Sequence, residues 1–225
     1  MNAKKKSALK TKVLIVDDHP MMRQGLAQLI TNEPDLTVCA EAENARQAVE
    51  AIAAGKPDLV LVDITLPDKS GIELIKDLQA LHPDLRMLVI SMHDESLFAE
   101  RVLRAGARGY IMKQEGGKKL MLAVRHVLSG QVYVSEKMSS KILEIFSGRR
   151  SETGPSPIER LTDREFEVLQ LVGQGKGTRQ IAQLLHLSVK TVEVHRLHIR
   201  EKLKLEDSSS LVHYAVRWVE SQNAG

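Results

Sequence analysis

The sequence predicts an α/β doubly wound domain on a five-stranded parallel sheet, followed by an all-α domain of four helices. Three observations carry that expectation. From residue 12 to about residue 130, short β-branched runs alternate with longer stretches of helical period, the pattern of a parallel sheet wrapped by helices. Three of those runs are almost continuously apolar, as expected of strands covered on both faces. Beyond GRRSETGPSP (148–157), whose Gly, Ser, Pro and charge content reads as a linker, every periodic segment is helical.

In order, strands are expected at KVLIVD (12–17), LTVCA (36–40), DLVLVD (58–63), RMLVIS (86–91) and GYIM (109–112). The segments between and after them are PMMRQGLAQLI, NARQAVEAIAAG, GIELIKDLQALH, ESLFAERVLRAG and GGKKLMLAVRHVLSG. They place apolar residues three or four apart and complete five βα units. Pro20 suits the first turn of the first helix, with Asp18 or His19 positioned to cap it. SEKMSSKILEIF reads as an amphipathic helix leading into the linker. In the second domain, Thr162 and Glu165 form a capping box for a helix that runs to Gln174, with Gly175 as its stop. Thr178 is expected to cap the short helix RQIAQLLH, Leu187 and Ser188 to turn the chain, and Ser188 to cap a third helix over 189–203. A last amphipathic helix is expected from Ser208 to Glu220. The chain thus divides into a disordered basic tail (1–11), a first domain (12–131), a connector helix and linker (132–157) and a helical domain (158–225).

With 225 residues, 43% hydrophobic and 27% charged, the chain can bury ordinary globular cores. A net charge of +3 does not demand a polyanionic partner unless it is concentrated locally. It is: from Lys176 to Lys204 seven Lys and Arg stand against two Glu, an excess of five. The single cysteine, Cys39, excludes an intrachain disulfide, and its setting in LTVCA suggests a small buried strand residue. MNAKKKSALK has no apolar stretch after its lysines, and no run of about eighteen apolar residues occurs anywhere. A soluble cytoplasmic protein with no membrane partner is expected.

In an open parallel sheet, ligands bind beyond the carboxyl ends of the strands, where strand order reverses. Four predicted strand ends bring chemistry there: Asp17 and Asp18 after the first, Asp63 after the third, Ser91 at the fourth and Lys113 past the fifth. Three carboxylates in one cleft repel each other unless a cation sits among them, and an all-oxygen donor set suits Mg²⁺. A metal and a lysine together can clamp a phosphoryl group while a carboxylate attacks it. Asp63, alone at the end of the central strand, is the candidate nucleophile.

These residues lie in VDDHP, LVDITLPDKSG, LVISMHDE and GARGYIMK, which closely resemble the receiver domains of two-component response regulators over essentially all of residues 12–130. The resemblance implies a flavodoxin-like fold and transfer of phosphate from a sensor histidine kinase to Asp63. It also implies Mg²⁺ held by Asp17, Asp18, Asp63 and the backbone carbonyl of Thr65, with Lys113 as phosphate partner and Ser91 and Tyr110 as a switch pair. A regulator rather than an enzyme is expected.

The two short helices joined at HLS read as a helix-turn-helix, whose second helix would lie in a major groove. On a wheel of about 100° per residue, Val192, His195, Ile199 and Leu203 share the side that faces a core, and Lys190, Glu193, Val194 and Leu197 lie opposite. Two apolar residues on an exposed face suit thymine methyl groups. Lys190, Glu193, Val194 and Leu197 are therefore expected to read bases, and Arg179, Arg196 and Arg200 to meet phosphates, with Thr191 also among the DNA contacts. His195 belongs to the core edge, since it and His198 have no third metal ligand nearby. The segment LTDREFEVLQLVGQGKGTRQIAQLLHLSVKTVEVHRLHIREKL closely resembles the DNA-binding domain of LuxR-type regulators, so the whole chain looks like a NarL/FixJ family response regulator. That implies double-stranded promoter DNA as a partner, a homodimer on DNA, and a regulator able to meet RNA polymerase. Glu193 and Leu197 stand where some members of the family have basic residues, so no relative's target site transfers. In the last helix, Leu211, Val212, Ala215, Val216 and Val219 form a stripe, part of which must pack on the domain while the rest could pair two copies.

Two rivals are weaker. Phosphohydrolases like the haloacid dehalogenases place a second carboxylate two residues after the nucleophile, and that position here is Thr65. A regulator whose receiver no longer signals would not need the intact acidic set.

Overall fold

The computed structural model describes residues 10–146 and 157–223. The predicted tail up to residue 9 and the linker from 148 to 156 lie outside the described residues. The chain divides into two compact units at Ser135/Glu136.

The first unit alternates β1 (Thr11–Val16), α1 (Pro20–Thr31), β2 (Leu36–Ala42), α2 (Ala45–Gly55), β3 (Leu59–Val62), α3 (Gly71–Leu81), β4 (Arg86–Ser91), α4 (Glu95–Ala105), β5 (Gly109–Met112) and α5 (Gly117–Leu128). All neighbouring strands are parallel, in the order β2-β1-β3-β4-β5. The continuously apolar strands β1, β3 and β4 are the three interior ones, which is why both of their faces are buried. Val13, Ile15, Leu59, Leu61, Leu88, Ile90 and Ile111 pack with Leu26 and Ile30 of α1 and Leu120, Val124 and Val127 of α5. The alternate residues, Leu14, Val16, Val60, Val62, Met87, Val89 and Tyr110, turn to the layer of α2, α3 and α4 and are fully buried there.

Cys39 departs from expectation. It is only half-buried, because β2 is an edge strand with a single neighbour. The partial burial it does have pushes its thiol up from the ordinary value. Both ladders also stop one residue short of the acids: Asp17 N–H donates to Ala42 at 3.1 Å and Asp63 N–H to Val16 at 2.9 Å, so each aspartate sits just past its strand. His19 rather than Asp18 takes the N-cap position of α1, without a side-chain cap bond. Asn44, Ser70 and Asp94 cap α2, α3 and α4 with their side chains.

The start of α3 is docked onto the loop after β3. Gly71 N–H donates to Ile64 at 2.6 Å, and a Cβ on Gly71 would lie 2.0 Å from the Asp63 carbonyl oxygen. Only glycine fits there.

The second unit contains α6 (Glu136–Phe146), a 3₁₀ turn (Pro157–Arg160), α7 (Asp163–Gly173), α8 (Thr178–Leu184), α9 (Val189–Leu203) and α10 (Ser208–Asn223). The Thr162/Glu165 capping box opens α7 as predicted, and Gly175, at φ +77°, follows its end. The cap of α8 is a correction. Gly177 holds the N-cap, with its N–H bound by Gln180 at 3.1 Å, and Thr178 is already helical. The helix also stops at Leu184, and His186 at φ +53° opens the turn into α9. Phe166, Leu169 and Val172 of α7, Ile181 of α8, Val192 and Ile199 of α9, and Leu211 and Ala215 of α10 are the buried residues of this unit's core. Trp218 meets Phe166 edge-on at 5.3 Å.

Candidate functional site

The first site lies beyond the carboxyl ends of β1 and β3, where the chain reverses strand order. Asp17, Asp63 and Ser91 are buried, and Lys113 opens a single 3₁₀ turn after β5. Lys113 Nζ lies 2.5 Å from Asp63 Oδ2 and 2.7 Å from Asp17 Oδ2, bridging the two carboxylates. Among the described residues, ligand atoms of Asp17, Asp18, His19 and Asp63 all lie within 4.8 Å of one another, so the cluster could hold a metal ion. Burial pushes the Asp63 carboxyl up to about 6; Lys113 pulls it down, and Asp17 adds to the rise. For Lys113 burial disfavours the charge, but Asp63 and Asp17 outweigh it and hold the ammonium above the ordinary lysine value. The result is a desolvated carboxyl group facing a fixed cation.

Thr65 N–H reaches Asp63 Oδ1 at 3.4 Å, and the Thr65 hydroxyl meets His93 Nε2 at 3.1 Å. The expected switch residues meet through that same histidine. Ser91 Oγ accepts from His93 N–H at 3.2 Å, and the Tyr110 hydroxyl donates to the His93 carbonyl at 2.8 Å. Tyr110 is fully buried, and this burial drives its hydroxyl well above the ordinary value. Its hydroxyl ties the ring to the β4–α4 loop. The His93 ring stacks on Phe98 at 4.6 Å, and burial, with help from Lys113, lowers its pKa to about 4.

Sequence reasoning missed His93, Arg23 and Asp68. Arg23 is buried and donates to the Asp17 carbonyl at 2.7 Å and to Glu43 at 2.6 Å, pinning the loop that carries the acid pair. The signal was present, since Arg23 shares the i, i+3, i+7 stripe with Leu26 and Ile30. Asp68 accepts from the first two amides of α2, Ala45 N–H at 2.9 Å and Arg46 N–H at 3.1 Å, tying the loop after β3 to α2. Nothing local in LPDKSG announces that partner.

The second site is the outer face of α9. Val192 and Ile199 are buried and His195 and Leu203 half-buried, while Lys190, Glu193, Val194 and Leu197 are exposed, as the wheel predicted. Val194 and Leu197 are 41% and 43% exposed, an apolar pair on an otherwise polar face. Arg179 is exposed and Arg200 half-buried. Two expected contact residues have structural partners as well. The Thr191 hydroxyl lies 2.7 Å from Ser188 Oγ, the cap of α9, and Arg196 donates to Thr178 Oγ1 at 3.0 Å, bracing α9 against α8.

Glu165 ties α9 to α7. Beyond its capping box it accepts from Lys202 at 2.6 Å. Burial works against its charge, but the bonds from Lys202 and Thr162 outweigh burial and hold its pKa below the usual value. A carboxylate depressed in the folded state contributes stability above its ordinary range and loses it as pH falls through the folded value. Glu165→Ala is expected to destabilise this unit by about 2 kcal/mol near neutral pH, less in acid. Denaturation followed at Trp218, the single tryptophan, measures it; an unchanged midpoint would remove Glu165 from the helix–helix brace.

No helix among the described residues is long and apolar enough to cross a membrane. The family model of the response regulator receiver domain matches residues 13–125, and that of the bacterial regulatory proteins of the luxR family matches residues 159–215. Oxygen regulatory protein NreC of Staphylococcus haemolyticus is 34% identical over 210 residues, 92% of this chain and 97% of that protein. A LuxR-family two-component response regulator from Aurantimonas sp. SI85-9A1 is similar in structure, with 33% identity and a TM-score of 0.57 over 61% of this chain and 99% of its own. RcsB from Salmonella enterica serovar Typhimurium, solved bound to promoter rprA with the phosphomimetic BeF3⁻, gives 26% identity and a TM-score of 0.60 over 92% of this chain and 98% of its own. With a receiver matched over half its length and a relative 34% identical along nearly all of it, the chain belongs to the NarL/FixJ family of response regulators, phosphorylation-dependent DNA-binding proteins that join a receiver to a LuxR-type domain.

Proposed function

We propose that Asp63 is the phosphoacceptor, that a histidine kinase supplies the phosphoryl group, and that Mg²⁺ is held by Asp17, Asp18, Asp63 and the Thr65 carbonyl. The observation that carries this is the Lys113 ammonium bridging two buried carboxylates at the reversal of strand order. The gathered carboxylate oxygens fit a hard cation. Bound there, such an ion offsets carboxylate repulsion and draws charge from the phosphoryl oxygens. An Asp63 oxygen attacks phosphorus as the bond to the donor imidazole nitrogen breaks, leaving an acyl phosphate on Asp63. Lys113 then pairs with the new phosphoryl oxygens, and Ser91 donates to one of them. Because Ser91 and Tyr110 both hold His93, movement of Ser91 passes through the β4–α4 loop to Tyr110 and alters the face made by α4, β5 and α5.

In the second domain, Lys190, Glu193, Val194 and Leu197 read base edges, while Arg179, Arg196 and Arg200 meet phosphates and Thr191 lies beside them. A homodimer on promoter DNA in the cytoplasm, within reach of RNA polymerase, is the working form. Val212 remains exposed on α10 and is available to pair two copies. Thr65, whose hydroxyl meets His93, stands where a phosphohydrolase of the haloacid dehalogenase kind places its second carboxylate, which favours a regulator over that enzyme.

Intact-mass measurement after acetyl phosphate treatment tests the pocket. One phosphoryl group per chain is expected, dependent on Mg²⁺. Metal ligation and attack both need the Asp63 carboxylate, raised to about 6 without metal, so uptake should fall as acid protonates it, and the fall should move to lower pH as Mg²⁺ is raised. Equal labelling without a divalent ion would contradict the metal assignment, and sustained hydrolysis of small phosphate esters would favour the enzyme.

A further inference from the structure

We propose that residues 131–135, the last stretch of the first unit before α6, form a clamp that the β4–α4 loop closes in the unphosphorylated protein and opens when Asp63 carries phosphate. This rests on Asp63 being the phosphoacceptor. β5 is an edge strand of the five-stranded sheet, and a bare edge exposes unpaired backbone groups. Here Gly130, at φ +85°, turns the chain after α5 so that it comes to lie parallel to β5. Tyr110 N–H donates to the Tyr133 carbonyl at 2.9 Å, and Tyr133 N–H donates to the Arg108 carbonyl at 3.0 Å. Gly109 permits this close approach, since a Cβ there would lie 2.8 Å from the Tyr133 carbonyl oxygen. Two residues further on, Ser135 N–H donates to Glu95 Oε1 at 2.8 Å.

One loop therefore holds the segment at two points. The His93 carbonyl holds the Tyr110 hydroxyl, and the Tyr110 N–H holds Tyr133. Glu95, two residues after His93 and the first residue of α4, holds Ser135 directly. Glu95 is thus a positioning residue, acting through the backbone it holds rather than on the phosphoryl group. The direction of release follows from strand order. Asp63 follows β3 and Ser91 ends β4, whereas the segment lies along β5, away from Asp63. Ser91 Oγ accepts from His93 N–H at 3.2 Å, so a Ser91 drawn toward phosphate on Asp63 draws His93 and Glu95 away from Tyr133 and Ser135. Amides whose bonds are stretched in this way lose protection from exchange with solvent.

Hydrogen exchange of the full chain, resolved to single amides by fragmentation mass spectrometry, tests the clamp in Mg²⁺ buffer with and without excess acetyl phosphate. Intact mass reports labelling in each sample. On labelling, the Tyr133 and Ser135 amides of the wild type should exchange about 10-fold faster, while amides of β1 and β3 keep their rates. Glu95→Ala should exchange at Ser135 about 10-fold faster before any labelling, and labelling should then add less than about 2-fold there. Glu95→Gln, whose side-chain carbonyl still accepts, should recover most of the protection and its loss on labelling. A labelled wild type with both amides as slow as before, or a Ser135 amide equally protected in Glu95→Ala, overturns the clamp and leaves Asp63 the phosphoacceptor. Failure of the wild type to take up a phosphoryl group overturns both.

Discussion

Asp63→Asn should retain the receiver fold and take up no phosphoryl group from acetyl phosphate. Asn keeps the shape of the side chain but lacks the anionic oxygen that attacks phosphorus. The fold should tolerate the change for a reason visible in the pocket. Burial is what raises the Asp63 carboxyl to about 6, so the charged form is the one the site disfavours, and a neutral amide relieves that cost. Lys113 is not stranded, because Asp17 still faces it at 2.7 Å. The variant should therefore melt no lower than the wild type in metal-free buffer at pH 7, while intact mass shows no added phosphoryl group. A variant that labels at the wild-type rate would move the nucleophile elsewhere.

Gly71→Ala should have the largest effect on stability. The added methyl would meet the Asp63 carbonyl oxygen at 2.0 Å and Ile64 Cα at 2.8 Å, both backbone atoms that no rotamer change can move. Either α3 retreats, losing the Gly71 N–H to Ile64 bond, or the loop carrying Asp63 shifts. Overpacking of this kind costs about 3 kcal/mol. The same shift would spoil the distance from Asp63 to Lys113, so labelling should slow even in the fraction that stays folded. Denaturation by urea followed by circular dichroism measures the first effect, and single-turnover labelling the second. A midpoint within about 0.5 kcal/mol of wild type would show that the loop yields freely.

Much of both sites was legible because period and strand ends carry position. The runs of β-branched residues marked the strands, and the residue type at each run's end marked the pocket. Asp17, Asp18, Asp63 and Lys113 gather where the strand ends predicted, and Ser91 is buried at the end of β4. The wheel of α9 likewise separated Val192 and Ile199 from Lys190, Glu193, Val194 and Leu197, because one helix repeats with one period. What escaped depends on contacts between distant segments. His93 looks like an ordinary loop histidine, and only the folded β4–α4 loop brings Thr65, Ser91 and Tyr110 to it. Cys39 looked buried because a run of apolar residues does not say which strand is at the edge. Thr178 looked like a cap because its hydroxyl can accept a free helix N–H, yet its oxygen accepts from Arg196 in the next helix.

We propose that phosphate on Asp63 controls DNA binding by changing how two copies pair. Equilibrium binding at one fixed salt concentration, with and without phosphorylation, tests it most directly on DNA carrying either an inverted repeat or a single half-site. Phosphorylation should raise affinity for the inverted repeat on the order of 10-fold or more and leave the single half-site nearly unchanged. Ser91→Ala should label at Asp63 yet lose the enhancement. Equal enhancement on both DNAs would contradict pairing and point to release of a masked α9.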